Sequence, residues 1–271
     1  MSPLQWTNRL EQLLKQPLER SLPDLVVETE IIDSWSALEF WLDNLNFGEA
    51  CFRGHKRFEY PLQPSIERAV FVEWESKDKL RQFTGPIEIG YHEQKTLWQF
   101  RRGAHHFLPH VPEQHETLDW LALMQHHGAP TRLLDWSVSP YVALFFALED
   151  SAPHDAAMWA IDRTWIMRRS ASYIPIKDLE EARLAINKAI NSCSLKTPIV
   201  ALAEPKQLNQ RMMAQQGLFL AALWDEVNFT NSLASMLDKP KELLPVVSKI
   251  RVKKHCRTNF LGRLRQMNIH H

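Results

Sequence analysis

The chain has 271 residues, 45% apolar and 24% charged, which is ample for a buried core and ordinary for a globular protein. Its 32 basic residues balance 32 acidic ones, so net charge argues neither for nor against a polyanionic partner, and only local clustering could create an attractive field. Three widely spaced cysteines without a CxxC pair, Cys51, Cys193 and Cys256, exclude a disulfide framework and a cysteine zinc site.

The opening residues 1–20 suggest a short amphipathic helix, with Leu4, Leu10, Leu13, Leu14 and Leu18 at roughly helical spacing. They lack the continuous apolar core of a secretory signal, and no run approaches the ~18 apolar residues of a membrane span, so a cytoplasmic protein without membrane contact is expected. "SLPDLVVETEI" reads as a strand through Val26 and Val27. "DSWSALEFWLDNL" reads as a helix N-capped by Ser34, with Leu38, Trp41, Leu42 and Leu45 on one face. A short strand through Cys51, Phe52 and Arg53 is predicted to break at Gly54 and pass into a proline-punctuated loop. Residues 73–105 are charged and helical in pattern, and "ETLDWLALMQHHG" is a helix closed by Gly128. "TRLLDW" is a strand, followed by a helix with Ser139 as N-cap and Pro140 at its first position. "AAMWAIDRT" looks like a central strand, residues 178–192 a helix, and "TPIVALAEP", "QGLFLAALW" and "VVSKIRV" further strands before a final helix, "TNFLGRLRQMNI". Helices and strands are mixed and nothing repeats, which predicts an α+β domain with a helical N-terminal elaboration.

Four segments carry candidate chemistry. In "FRGH", an arginine at a strand end followed at once by glycine offers bidentate donors and close backbone approach, the way a protein grips phosphate; a salt-bridging arginine before a turn is the plainer alternative. In "QHHGAPTRLLDWSVS", Gln125, His126 and His127 end one helix, Thr131 and Arg132 lead a strand, Asp135 and Trp136 leave it, and Ser139 caps the next helix, whose N-terminus is a ready anion site. Arg132 and Asp135 could equally pair with each other. In "RMMAQQGLFLAALWDE", Gln215 and Gln216 stand at a strand entrance and Glu226 follows the strand; an amide there could read a ribose, and a carboxylate could stabilise an oxocarbenium-like transition state. "SKIRVKKHCRTNFLGRLRQ" gathers basic residues, either a solvated edge or a nucleic-acid contact through residues such as Lys253 and Lys254. Seven histidines lie between His92 and His127, but without HExxH or a regular carboxylate companion nothing enforces metal geometry, and no metal is expected. GxSxG and GxxxxGK[ST] are both absent, which disfavours a serine hydrolase and a P-loop hydrolase.

Taken jointly, these segments resemble the FRG domain family of bacteria and phages, named for its Phe-Arg-Gly triplet. "CFRGHKRFEYPLQPSIER" is similar to its N-terminal signature and "LALMQHHGAPTRLLDWSVSPYVALFFA" to its central one, while "AMWAIDR" and "RMMAQQGLFL" resemble later blocks. The resemblance implies an elaboration over residues 1–34 and the FRG domain over residues 35–271, with an end at "MNIHH" short of a final helical block that the pattern leads one to expect. A looser resemblance joins Phe52-Arg53-Gly54, and Asp135-Trp136-Ser137 leading to Phe146-Ala147, to arginine ADP-ribosyltransferases. It implies mixed or antiparallel central sheets of that type and NAD, or a related nucleotide, as ligand. Arg53 and Gly54 would hold the pyrophosphate, with Gln125, His126 and Arg132 lining the pocket and Ser137 bracing the nicotinamide riboside. Gln215-Gln216 stand where that family carries a catalytic glutamate, and glutamine cannot supply the charge that stabilises an oxocarbenium ion. Asp135 or Glu226 would then replace it, with Gln216 at the catalytic position. The function implied is an ADP-ribosyltransferase or NAD glycohydrolase acting on a macromolecular acceptor as a toxin or phage-defence effector, with an antitoxin or other regulatory partner. The alternatives are a non-catalytic module that binds nucleic acid or protein, and a nuclease using the histidine-rich segment.

Overall fold

The computed structural model describes residues 26–27, 30–69, 87–150, 153–174, 178–192, 197–207, 212–213, 215–223, 228–236 and 246–270. The helix expected over residues 1–20, the thiol of Cys193 and the candidate carboxylate Glu226 lie outside them. Around a single mixed sheet stand helices on both faces, so the architecture is α+β, as expected, with one continuous sheet in place of several. The strands are β1 (Val26–Val27), β2 (Ile31–Ile32), β3 (Ala50–His55), β4 (Leu133–Ser137), β5 (Ala156–Asp162), β6 (Val200–Ala203), β7 (Gly217–Ala222) and β8 (Val247–Val252). Their order is β1-β8-β5-β3-β4-β7-β6, and β2 also pairs with β8. Every pairing is antiparallel except those of β1 and β2 with β8.

One face is covered by α1 (Trp35–Asp43), α4 (Pro140–Leu148) and α8 (Arg257–Gln266), whose Trp35, Leu38, Leu144 and Phe260 pack on Phe52, Met158 and Ile250. The other face carries α2 (Ile87–Ala104), α3 (Thr117–His126), α5 (Arg163–Ala171), α6 (Leu179–Ser192) and α7 (Phe229–Ser235), packed around Trp120, Leu121, Trp159, Ile190 and Phe229. With neighbours on both edges and helices on both faces, all seven residues of β5 are buried. That explains why "AAMWAID" shows no polar alternation.

Local capping chemistry sets several boundaries. Ser34 caps α1 through its hydroxyl, which accepts from Ala37 N at 3.3 Å, and Ser139 caps α4 by accepting from Val142 N at 3.3 Å, with Pro140 at the first position. Gly128 follows α3 at φ +82°, the left-handed conformation expected of a glycine after a helix end. Two sequence expectations are corrected. β3 does not break at Gly54; it runs on to His55, with Gly54 paired to Met158. The segment after β5 is helical because Asp162 turns from strand end to N-cap, its Oδ1 accepting from Trp165 N at 3.1 Å. Among the described residues, no helix is long and apolar enough to cross a membrane.

A candidate anion cleft at the split between β3 and β4

β3 and β4 touch through a single register pair, Phe52 opposite Ser137, and then part. A cleft of about 610 Å³ opens at the divergence. Its walls are β3 (Phe52 to His55), the Lys56–Arg68 segment, the end of β4 with Asp135, Trp136 and Ser137, Phe146 of α4 and Glu149 just past its end, and Gln215 ahead of β7.

Arg53 spans the gap. Its Nη1 donates to the backbone carbonyl of Asp135 and lies 3.8 Å from that residue's carboxylate. Its Nε donates to His55 Nε2 at 3.0 Å. Strand alternation puts Arg53 and His55 on the same face, where the imidazole offers the arginine an acceptor. Nδ1 stands 3.2 Å from Tyr60 O and also receives the indole N–H of Trp159 at 3.2 Å. Burial, reinforced by the charge of Arg53, pulls the His55 pKa down from its ordinary value to about 3, so the ring is neutral at physiological pH. Burial also lowers the Arg53 pKa, with Asp135 opposing the shift and Arg68 adding to it, yet a guanidinium stays protonated. Among the described residues its Nη2 has no hydrogen-bond partner, and the side chain retains 17% exposure, open to the cleft.

Gly54 contributes differently from expectation. A Cβ there would meet Ala143 O at 2.0 Å and Ala147 N at 2.7 Å. The glycine lets α4 lie directly on β3, and through that contact it sets where Phe146 and Glu149 stand. Its missing side chain serves helix packing, whereas the sequence reading had it serve the approach of a phosphate.

A polar scaffold holds Asp135. Gln125 Nε2 donates to Asp135 Oδ1 at 2.7 Å, and Thr131 Oγ1 donates to Gln125 Oε1. Ser65 then ties the "PSIER" segment to the start of β4, accepting from Thr131 N at 3.0 Å and donating to Thr131 O at 3.2 Å. The two sequence signatures thus meet in space. Asp135 itself keeps a side-chain exposure of 61% at the rim. Gln125 supports the site through Asp135 and is not among the cleft's lining residues.

Arg132 is a correction. It is buried and turned away from the cleft, bound through Nε and its backbone N–H to the fully buried carboxylate of Glu93 on α2. It neither lines the cleft nor pairs with Asp135. His126 is exposed at the end of α3 and is not among the cleft's lining residues. Ser137 lines the cleft, but its hydroxyl is engaged, donating to Gln215 O at 2.8 Å and accepting from Ser139 N at 3.0 Å. Gln215 faces the cleft, whereas Gln216 sits exposed in a left-handed turn at φ 46°. The histidine-rich segment brings no metal-binding group together: among the described residues, no three His, Cys, Asp or Glu side chains are placed to share an ion.

Sequence reasoning missed most of the remaining lining. Arg68 closes the "PSIER" element, donates from Nη1 to Gln63 O, and makes no ion pair among the described residues. Lys56 pairs with Glu149 at 3.2 Å and Asp150 at 2.8 Å. Trp136 is buried, with an indole N–H that lacks a partner among the described residues. Alternation along "FRGH" was the available signal for His55, and the arginine ending "PSIER" was the signal for Arg68.

No curated protein and no solved structure matches the chain. The family model of the FRG domain matches residues 48–156, a span that runs from just before β3 to the start of β5 and holds both strands of the split, α4, Arg53, Arg68 and Asp135. The chain carries an FRG domain, and the cleft is built almost entirely within it.

Proposed function

We propose that the cleft binds NAD or a closely related dinucleotide and that the protein transfers ADP-ribose from it. The observation that carries this reading is the pairing of Arg53 and Arg68 beside aromatic surface in one cleft. The two guanidiniums are close enough for Arg68 to depress the Arg53 pKa, and Arg53 presents a free nitrogen. Such a pair suits a diphosphate, which takes bidentate donors from more than one arginine. Phe146 offers a ring for a base, and the volume falls within the ~300–1,000 Å³ usual for small-molecule sites. A ligand acceptor reaching the indole N–H of Trp136 would also offset a buried donor costing about 1–3 kcal/mol.

In the proposed reaction the C1′–N bond to nicotinamide breaks and its electron pair leaves with the base. The acceptor's nucleophilic atom bonds to C1′ and gives its proton to solvent. Asp135, anchored by Gln125 at the rim, is the carboxylate that stabilises the oxocarbenium-like state, in the role a glutamate plays in the arginine ADP-ribosyltransferases. His55 is a positioning residue that aims Arg53. Consumption of NAD in this way fits a toxin or defence effector held in check by a regulatory partner.

Incubation with NAD labelled on the adenylate moiety, in the presence of cell extract, tests the chemistry. Nicotinamide release and label transfer are expected, and Asp135→Asn should lower both about 100-fold while leaving NAD affinity within threefold. Release that is unchanged in Asp135→Asn would remove the assigned role, and binding without any release would leave a nucleotide-sensing module in place of a transferase.

A further inference from the structure

On the sheet face that carries Arg53, antiparallel register lines up two rows of side chains across three strands. Arg53 is opposite Trp159, which is opposite Lys249; His55 is opposite Ala157, which is opposite Arg251. Residues directly opposite in antiparallel strands share a face. The cations of β8 therefore continue the same surface that begins in the cleft. Lys253 follows at the next alternate position, so Lys249, Arg251 and Lys253 form a row with about 6.6 Å between successive members. That interval is of the order of the phosphate repeat in an unstacked single strand.

The loop after β3 lies over this row. Phe58 is seated on it, with Lys249 Nζ 4.2 Å and the Arg251 guanidinium 3.7 Å from its ring centre, and its backbone N–H donates to Asp155 O at 2.9 Å. A second groove of about 430 Å³ runs beside the loop, lined by Arg251, Lys253, Lys254, His154 and His255 with Glu59 and Asp155. Asp155 clamps Arg251 at 3.5 Å and Lys253 at 3.1 Å, which fixes their positions, while the exposed Lys254 side chain makes no ion pair among the described residues. Lys249 makes no ion pair among the described residues and packs on the rings of Phe58 and Trp159. The loop is a shared wall, since Lys56 and Tyr60 face the cleft and Glu59 faces the groove.

We propose that this row binds a single-stranded nucleic acid, its phosphates on the β8 cations and its bases on the exposed Tyr60 ring, 46% accessible at the border of the cleft. A row of like charges at strand spacing beside an exposed ring, Tyr60, suits a strand of phosphates and unpaired bases better than an acidic protein surface, which has no base to stack on that ring. The strand's further role, as acceptor of ADP-ribose at the cleft, rests on the reading in the preceding section; its binding does not.

Fluorescence anisotropy of labelled single-stranded DNA and RNA oligomers tests the site, with a duplex of the same sequence and polyglutamate as competitors. Single strands should bind at low salt, with log affinity falling against log salt at a slope of about −2, the value for three phosphate contacts. Lys254→Glu, an exposed substitution that keeps the fold, and Lys253→Gln should each weaken binding at least fivefold and leave NAD affinity unchanged. No binding at low salt, unchanged binding in both variants, or equal competition by polyglutamate overturns the proposal. The NAD isotherm is measured separately, so a protein that binds the oligomer but not NAD keeps this site and loses the cleft reading.

Discussion

Three consecutive residues of β3 divide the work of the cleft. Arg53 presents charge, Gly54 admits α4, and His55 holds the arginine's Nε. Gly54→Ala forces a methyl group to within 2.0 Å of a backbone carbonyl, so it should cost at least about 3 kcal/mol in urea unfolding. Gly103→Ala on α2, where nothing lies within 4 Å of the added carbon, should leave stability equal or slightly higher. Similar losses from both would show that close packing on β3 is not what the glycine provides. His55 yields a pH prediction. Its folded pKa, about 3, lies below the unfolded value of 6.5, so the unfolded chain takes up the proton first as pH falls. Its contribution is complete above pH 6.5 and is lost as pH falls towards 3, at up to about 1.4 kcal/mol per pH unit. In His55→Asn that part of the slope should vanish, which unfolding curves at pH 6.5, 5.5 and 4.5 resolve.

At the scale of elements, the sequence was most legible where the chemistry is local. Ser139-Pro140 and Gly128 placed the start of α4 and the end of α3, because a cap or a left-handed glycine needs only its immediate neighbours. The strand predicted to run on to Thr164 stops at Asp162 because that side chain finishes one element and caps the next, and "RTWIMRRSA" has no clean apolar stripe to announce α5. Arg132 shows the sharper limit. It precedes β4 beside the residues that form the cleft, but its partner Glu93 lies 39 positions earlier, and no spacing rule reveals such a contact. The pair joins α2 to β4 as a buried ionic strut. Arg132→Met takes the guanidinium away from the buried Glu93 carboxylate, so it should cost about 3–5 kcal/mol while the folded fraction binds ligand with wild-type affinity. A selective loss of affinity with stability intact would return Arg132 to the site.

Across the whole molecule, the sheet explains how a chain with no net charge concentrates cations. β3 and β8 are separated by almost 200 residues in sequence but only by β5 in space, so the arginine of "FRGH" and the basic stretch near the C-terminus share one face. From sequence these were two unrelated motifs, and the likeness to ADP-ribosyltransferases rested on short triplets. The split between β3 and β4 supplies the physical reason a nucleotide could enter there. Titration calorimetry of NAD into the wild type and Arg53→Lys is the most direct test of that reading. A single-site isotherm is expected for the wild type, with affinity at least tenfold weaker in Arg53→Lys, because lysine cannot reach Asp135, His55 and a phosphate with one ammonium. No heat with the wild type, or equal affinity in the two proteins, would contradict it.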